Sequence, residues 1–316
     1  MAFYCCIYMK VLLAGANSYI GTHLIPVLLE KGHHVVCLVR DKNHFLNHHP
    51  NAYQVTVLGG DLLRRQSIDP LADDIDVACY LINTYTQTSE FSALAALSAQ
   101  NFMEVIAPTS CKQVITLSDI NDKSSGYSRL NVEDILRGGK PPLTVLNTSM
   151  IVGTGSAALE MFNTLISKTP VVIPRTWIKA RVQPIATSDV LHYIESCLWN
   201  EKTFNRKFDI GGPEILTFKQ MMLIYVAIHA KSKPDIVILP FLTSHLSSNL
   251  RNTLTPLSFP EAQRLIENLR HDCICRENSI RELITVPCLT FKQAAKTGYE
   301  TPGAGNLQNL PLVKSN

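Results

Sequence analysis

The chain has 316 residues, of which 46% are hydrophobic and 17% are charged, and its formal net charge is +3. This composition predicts a folded chain, large enough for two domains, and excludes a largely disordered one. No dense cluster of Lys and Arg indicates a nucleic-acid partner. No apolar segment reaches the roughly 18 residues of a membrane helix, so we expect no membrane partner either.

The amino terminus and the cysteines bear on location. The opening MAFYCCIYMK is apolar but lacks a basic start, so we do not expect a signal peptide, and Met9 is an alternative first residue. Nine cysteines are scattered along the chain. Cys273 and Cys275 lack the spacing of a zinc knuckle, so we expect free thiols and no metal. Free thiols favour the cytoplasm.

The first half of the chain alternates short apolar segments with helical patterns. Strands are predicted within 9–16 and over 34–39, 53–61, 75–82, 113–118 and 143–149. Helices are predicted after the first strand, with Gly32 at the end, and over 89–107 and 127–137. Strands that are apolar on both faces and alternate with helices indicate a parallel sheet covered on both sides. The predicted fold class is α/β, a Rossmann-type doubly wound sheet.

The pattern changes after residue 150. Helices are predicted over 157–168, over 187–199 with Thr187 or Ser188 as the N-cap, over 216–230 with Thr217 as the cap, and from about Pro260. The two prolines of TPVVIPRTWI indicate an irregular or edge segment, and 208–212 a short strand and turn. Residues 302–316 are predicted to form a loose tail.

The stretch AGANSYIG joins the first strand to the first helix. Gly15 permits a tight turn, the small Ser18 lets a pyrophosphate approach, and Gly21 permits close packing of helix on strand. The amides at the helix start, from Asn17 through Ile20 and including Tyr19, are then expected to meet the phosphates. The alternative is a glycine-containing turn that binds nothing.

The second predicted strand ends at LVRD, nineteen residues after Gly21. NAD-specific sites usually place an acid at this strand end, for the ribose hydroxyls. Here Arg40 is the first polar residue, and a guanidinium suits a 2′-phosphate, which favours NADP(H) over NAD(H). If Asp41 points at the ribose instead, the preference reverses.

With these residues in view, the sequence resembles the atypical extended short-chain dehydrogenases/reductases. The closest group is the NmrA-like, NAD(P)H-binding and nucleoside-diphosphate-sugar-epimerase-related one. The resemblance is carried by AGANSYIG, LVRD, GGDLL, DVACYLINT and SRLNVEDIL, and further on by SMIVGTGSAALEMFNTL, PRTWIKARVQPIATSDVLHYI and FDIGGPEILTFKQMM. It covers most of the chain outside the first eight and the last fifteen or so residues.

The resemblance implies an NAD(P)-binding Rossmann domain over 1–150. It implies a smaller, interleaved C-terminal substrate-binding part over 151–316, with 182–199 and 207–212 returning to the first domain. Asp61 and Leu62 would contact the adenine, Asn83 would lie beside the cofactor ribose, and Ser118 would lie near the nicotinamide. The segment SMIVGTG would wrap the nicotinamide end.

The sequence departs from this family in the expected active site. Family enzymes carry Tyr-x-x-x-Lys on the helix after the fifth strand, followed four residues later by a glutamate. With Glu133 as that glutamate, Arg129 replaces the lysine and Ser125 replaces the tyrosine. Tyr127 lies two positions from Arg129 and would point elsewhere on a helix, so it substitutes for the missing tyrosine only if it lies in a loop. Arg129 can still bind the ribose or an anionic substrate.

Other polar residues are weaker candidates. His44, His48 and His49 are expected in a solvated loop, because no carboxylate or thiol stands at ligand spacing. His192 is expected on a helix as a surface or packing residue. Arg175 and Trp177 either grip a substrate or pack the smaller part, and the sequence favours neither.

Three functions stay open. The first is an NADP(H)-dependent oxidoreductase acting on a small carbonyl, enone or quinone-like substrate, with Ser118, Tyr127 and Arg129 as catalytic candidates. The second is a non-catalytic NAD(P)(H)-binding redox sensor or regulatory protein. The third and weakest is a sugar-nucleotide epimerase, which needs the missing tyrosine. Each is expected to act as a monomer or a homodimer.

Overall fold

The computed structural model describes residues 8–82, 89–120, 129–167, 171–174, 178–229, 236–239, 265, 269 and 271–297. Within these ranges, no helix combines the length and the apolar character of a membrane span.

A seven-stranded parallel sheet forms the centre of the molecule. Its strands, in spatial order, are β3, β2, β1, β4, β5, β6 and β11. Their bounds are β1 Lys10–Ala14, β2 His34–Val39, β3 Thr56–Gly59, β4 Val77–Tyr80, β5 Gln113–Asp119, β6 Leu143–Thr148 and β11 Lys207–Ile210. The order reverses between β1 and β4, and ligands of doubly wound sheets bind at the carboxyl ends of the strands there.

Three two-stranded sheets lie outside the central one. They pair β7 (Ile151–Val152) with β10 (Ile185–Ala186), β8 (Val171–Pro174) with β13 (Ile236–Leu239), and β9 (Arg181–Val182) with β12 (Leu216–Thr217). The described helices are α1 Tyr19–Glu30, α2 Lys42–His48, α3 Ser89–Ile106, α4 Arg129–Arg137, α5 Ala157–Ile166, α6 Thr187–Cys197, α7 Phe218–His229, α8 Ile280–Leu283 and α9 Phe291–Thr297.

The central sheet is buried on both faces. Along β1, Val11 and Leu13 pack into the core that contains residues of α1 and α6, whereas Leu12 packs into the core that contains residues of α3 and α4. This alternation follows from the two-residue period of a strand. The predicted Rossmann-type α/β fold is confirmed.

A third core lies among α5, α7 and α9, where the aromatic rings of Phe162, Phe218 and Tyr225 pack together. We call these helices and the small sheets beside them the second lobe. The chain returns from it to the central sheet twice, since α6 packs on α1 and β11 pairs with β6. The division into two functional domains stays a prediction.

Several local predictions need correction. The third strand covers only Thr56–Gly59, because Ala52–Gln54 forms a 3₁₀ turn. The segment with His44 and His48 is helix α2 rather than a loop, because the Asp41 side chain caps it. Neither Thr187 nor Ser188 caps α6; Ala186 occupies the N-cap without a side-chain bond. The cap of α7 at Thr217 is confirmed. The Thr217 hydroxyl accepts a hydrogen bond from the main-chain amide of Gln220 at 3.3 Å.

Candidate cofactor site

Two glycines bring the β1–α1 turn close to neighbouring backbone. Gly15 has φ +93°, and a Cβ there would lie 2.8 Å from the carbonyl of Leu81 at the end of β4. A Cβ on Gly21 would lie 2.2 Å from the Gly15 carbonyl oxygen. Both positions therefore exclude a larger residue through packing alone, and the glycine spacing of the sequence has a structural cause.

Ser18 caps α1. Its hydroxyl oxygen accepts a hydrogen bond from the Gly21 amide at 3.0 Å, so the residue at the middle-glycine position has a structural use. The amides of Tyr19 and Ile20, in the first turn of α1, have no hydrogen-bond partner among the described residues. Unpaired amides at a helix start, together with the helix dipole, suit an anion such as a pyrophosphate.

The Tyr19 side chain extends to the second lobe. Its hydroxyl lies 2.8 Å from the hydroxyl of Thr187 and donates to the carbonyl of Thr154 at 3.1 Å. Burial raises the pKa of Tyr19 to about 12, so the phenol stays protonated at neutral pH. Because the Tyr19 hydroxyl is engaged, the main-chain amide is the group of Tyr19 that is left available for the predicted contact with a cofactor.

At the end of β2, the charged side chains have different surroundings. Arg40 is exposed, and no hydrogen bond or ion pair engages it within the described part of the chain. The Asp41 carboxylate accepts a hydrogen bond from the His44 amide at 2.8 Å and caps α2. Lys42 pairs with Asp69 at 3.4 Å. Arg40 is therefore the group left unengaged at this strand end.

The segment after β3 holds the residues predicted to contact the adenine. One carboxylate oxygen of Asp61 accepts from the Leu63 amide at 3.0 Å. The Leu62 side chain is only 6% exposed and packs into the core beside α3, while its carbonyl accepts from the Asn101 amide group at 2.6 Å. Contact between Leu62 and an adenine is thereby limited to the main chain.

Polar side chains gather at the carboxyl ends of β5, β6 and β11; Asn147, Thr148 and Asp209 are buried and Ser118 is half-buried. Ser118 of β5 stands opposite Asn147 of β6, which stands opposite Asp209 of β11. The Asn147 side-chain amide donates to the Asp209 carboxylate at 2.8 Å. Asn147 Oδ1 and Thr148 Oγ1 are buried and have no partner within the described residues. Such atoms are costly unless a ligand or water satisfies them.

Comparison with known proteins finds a matching family model for the first part of the chain and a curated relative. Residues 15–137 match the family model described as NAD(P)H-binding. The match spans 123 of the 316 residues and includes the β1–α1 turn and strands β2 to β5. The 40 kDa subunit of mitochondrial NADH-ubiquinone oxidoreductase from Neurospora crassa is 24% identical over 213 residues, which cover 64% of this chain and 56% of that subunit. The aligned part thus spans little more than half of that relative.

Solved structures extend the comparison to the fold. A nucleoside-diphosphate-sugar epimerase from Staphylococcus aureus superposes with a TM-score of 0.70 at 14% identity, covering 91% of this chain and all of that one. The triphenylmethane reductase of Citrobacter sp., solved as a complex with NADP(H), gives 0.69 at 15% identity, covering 92% of this chain and all of that one. The predicted family resemblance is confirmed, for the cofactor-binding segment by the family model and for the fold by these structures.

The geometry of the β1–α1 turn and its neighbouring strand ends fits a dinucleotide. The unpaired amides of Tyr19 and Ile20 would hold the pyrophosphate, and Gly15 keeps the turn tight against β4. The adenosine half would lie toward Arg40 and Asp61, past the ends of β2 and β3. The other half would lie past β4 and β5, toward Ser118.

Several predicted site residues lie outside the described residues. They are Asn83, Tyr127, Arg175 and Trp177, together with the side chain of Arg129, whose backbone begins α4. Glu133, from which the position of Arg129 was counted, pairs with Lys207 of β11 at 2.6 Å and with Arg137 at 2.9 Å.

The described histidines and cysteines form no candidate metal site. Among the described residues, no group of three or more His, Cys, Asp or Glu side chains could hold a metal ion. Burial, and secondarily His23, lowers the pKa of His49 to about 4, so its ring is neutral at physiological pH. His192 is exposed on α6. The seven described cysteines are free thiols; Cys5 and Cys6 lie outside the described residues.

Sequence analysis missed Asn147, Thr148 and Asp209. The sequence did carry a signal for them. NTS and FD place polar residues at the ends of strands that are otherwise apolar, and a sheet of this kind binds ligands at the carboxyl ends of its strands. A polar side chain at the carboxyl end of a buried strand needs either a partner or a ligand.

Proposed function

We propose that the chain is an NADP(H)-dependent oxidoreductase with an atypical active site, acting on a small carbonyl, enone or quinone-like substrate. The observation that carries the proposal is the state of the groups around the cofactor site. Among the described residues, the amides of Tyr19 and Ile20 have no partner and no hydrogen bond or ion pair engages Arg40 at the end of β2.

The preference for NADP(H) over NAD(H) rests on Arg40 and Asp41. An acid that binds the ribose hydroxyls must be free to accept from them, and the Asp41 carboxylate is already bonded to the His44 amide. A guanidinium without a partner can bind a 2′-phosphate through two parallel N–H bonds. The NADP(H) complex of the Citrobacter reductase agrees with this preference without establishing it for this chain.

The residues expected to act on the substrate differ from Tyr-x-x-x-Lys. A bound nicotinamide supplies hydride transfer, and the chain must orient the substrate and provide a proton. Ser118 lies at the carboxyl end of β5 and would stabilise charge on the substrate oxygen, with backbone amides. Tyr127 or water would supply the proton, and Arg129 would bind the ribose or an anionic substrate.

Hydride transfer is tested by the loss of NADPH absorbance with a panel of carbonyls, enones and quinones. We expect turnover of at least one compound class. Ser118→Ala should reduce that turnover about tenfold to a hundredfold, as loss of one stabilising or proton-transferring group does. If both Ser118→Ala and Tyr127→Phe turn over at the unmodified rate, this assignment of the chemistry is wrong.

A second candidate is a non-catalytic NAD(P)(H)-binding protein that senses redox state or serves as a subunit of an assembly. It is favoured by Ser125 and Arg129, which stand where the family enzymes carry tyrosine and lysine. It is also favoured by the relative that is named as a subunit of a larger oxidoreductase. A sensor would bind NADPH and NADP⁺ with clearly different affinities and would oxidise no compound of the panel. Equal affinities would exclude a ratio sensor.

The sugar-nucleotide epimerase is the weakest candidate. The Staphylococcus epimerase shares the fold, which does not determine the reaction. Ser125 has no phenol with which to remove a proton from a sugar hydroxyl. The cytoplasmic location and the monomeric or dimeric state remain part of the proposal, and free thiols at the seven described cysteines support a reducing compartment.

A further inference from the structure

One set of contacts joins the β1–α1 turn to the start of α6 and to the segment between β7 and α5, at the border of the second lobe. The Tyr19 hydroxyl lies 2.8 Å from the Thr187 hydroxyl at the start of α6 and donates to the Thr154 carbonyl at 3.1 Å. Tyr19 and Thr187 are 168 positions apart in sequence. We call this set of three groups, the Tyr19 and Thr187 hydroxyls and the Thr154 carbonyl, the Tyr19 latch.

The turn that the latch holds is well defined. Residues 153–156 form a β-turn in which the Ser156 amide donates to the Gly153 carbonyl at 2.9 Å, and Gly155 has φ +74°. The Ser156 hydroxyl accepts in return from the Gly153 amide at 3.2 Å. A Cβ on Gly153 would lie 2.3 Å from Thr187 Oγ1 and 2.8 Å from the Tyr19 hydroxyl. The lack of a side chain at Gly153 therefore lets the turn approach the Tyr19 and Thr187 hydroxyls closely.

The position of this turn follows from the strand order. The chain leaves β6 at Thr148 and reaches the Tyr19 hydroxyl at Thr154, whereas β5 and β4 separate β6 from β1 in the sheet. Both ends of this six-residue span lie at the carboxyl-end edge of the parallel sheet, because Thr148 ends β6 and Tyr19 follows the turn after β1. The 153–156 turn therefore lies at the edge of the sheet where dinucleotides bind. A dinucleotide with its adenosine half toward Arg40 has its nicotinamide half on this side.

We propose that the Tyr19 hydroxyl is a positioning group that holds the 153–156 turn over the nicotinamide half of the cofactor site. The proposal rests on the proposed NADP(H) binding. The same residue offers its main-chain amide to the pyrophosphate and its side chain to the turn, so it connects the two halves of the site. Its hydroxyl contributes to binding of the complete dinucleotide and not to binding of the adenosine half alone.

Two ligands separate these halves. Calorimetric titration with NADPH and with adenosine 2′,5′-bisphosphate compares the complete dinucleotide with a fragment that lacks the nicotinamide half. For Tyr19→Phe we expect about a three- to tenfold loss of NADPH affinity, the effect of one net hydrogen bond, and a change in fragment affinity within about twofold. Thr187→Val should act in the same way, and Thr187→Ser, which keeps the hydroxyl, should retain the affinity of the unmodified protein.

Tyr53→Phe is the matched control, because it also removes a tyrosine hydroxyl. Tyr53 is 90% exposed and precedes β3, the edge strand farthest from β6 and β11. Urea unfolding of each variant shows that the fold is retained. The double variant Tyr19→Phe/Thr187→Val should lose less NADPH affinity than the sum of the single losses, since both single changes remove the Tyr19–Thr187 hydrogen bond.

The outcomes separate the proposal from the proposed function. If the unmodified protein binds neither ligand, the NADP(H) function fails and the latch proposal fails with it. If it binds both and Tyr19→Phe weakens both equally, the hydroxyl acts on the phosphate-binding turn and the proposal is overturned alone. Unchanged NADPH affinity in Tyr19→Phe also overturns it while leaving NADP(H) binding intact.

Discussion

On the β1–β2–β3 side of the sheet, three short polar side chains near the strand ends are bonded to nearby main chain, while Arg40 is unengaged within the described residues. On the β5–β6–β11 side, buried polar side chains lie beside one another. Ser18, Asp41 and Asp61 each accept from a backbone amide two or three residues ahead. Asn147 and Thr148, in contrast, each keep a buried side-chain oxygen without a partner in the described residues.

In the proposed function, the two sides of the sheet have different roles: one binds the cofactor and the other faces the substrate. Local caps fix the turns on the β1–β2–β3 side before any ligand arrives, so the amides and Arg40 that are unpaired among the described residues would be preorganised for the phosphate groups of the proposed cofactor. A buried oxygen without a partner costs about 1–3 kcal/mol, a cost that proteins often accept where a ligand or substrate will bind. Under the proposed function, the β1–β2–β3 side would hold the cofactor, and the polar groups of the β5–β6–β11 side would face what reacts beside it.

The largest effect is expected from Gly21→Val, which disrupts the β1–β2–β3 side. Its Cβ would lie 2.2 Å from the Gly15 carbonyl oxygen, so α1 must move away from the turn. We expect NADPH affinity to fall at least about tenfold, and the free energy of unfolding to fall by about 3 kcal/mol. Gly138→Ala is the control, since its Cβ would come no nearer than 3.4 Å to other atoms. Undiminished NADPH binding by Gly21→Val would show that the cofactor does not use this turn.

Arg40→Gln should follow in size. Loss of a charge-assisted bond to the 2′-phosphate should weaken NADPH binding by about tenfold to a hundredfold and leave NADH binding unchanged. Arg65→Gln serves as the matched control, because Arg65 is already paired with Glu104 at 2.6 Å. An equal loss for both nucleotides would mean that Arg40 does not read the 2′-phosphate.

Ser18→Ala should have a smaller effect, on stability. Removal of the α1 cap should lower the free energy of unfolding by about 1 kcal/mol, measured by urea denaturation. Ser18→Gly should lower the free energy of unfolding by only a few tenths of a kcal/mol, because glycine is acceptable at an N-cap. If Ser18→Ala is as stable as the unmodified protein, the hydroxyl does not cap the helix in solution.

Thr148→Val should show the smallest effect and the opposite sign. Because the Thr148 hydroxyl is buried without a partner, the nearly isosteric valine should leave the stability of the ligand-free protein unchanged or raise it by up to about 1 kcal/mol. Thr144→Val is the comparison, since the Thr144 hydroxyl donates to the Thr203 carbonyl at 2.9 Å and its loss should be destabilising. A Thr148→Val loss as large as that of Thr144→Val would contradict the contrast between the two sides of the sheet.

Features that depend on neighbours in sequence were predictable. The strand–turn–helix pattern around Gly15 and Gly21 and the buried parallel strands follow from local spacing and periodicity. The cap of α6 was not predictable, because the Thr187 hydroxyl bonds Tyr19, and no local pattern indicates so distant a contact. Helix α2 was missed although Asp41 carried the cap signal, since its short histidine-rich sequence has no apolar period.

The most direct test of the central claim is calorimetric titration of the unmodified protein with NADPH, NADH and their oxidised forms. The unengaged Arg40 and the capping role of Asp41 lead us to expect saturable binding of NADPH, with NADH at least about tenfold weaker. Tighter binding of NADH would contradict the assignment of Arg40. Failure of all four nucleotides to bind would contradict a cofactor role for this edge of the sheet.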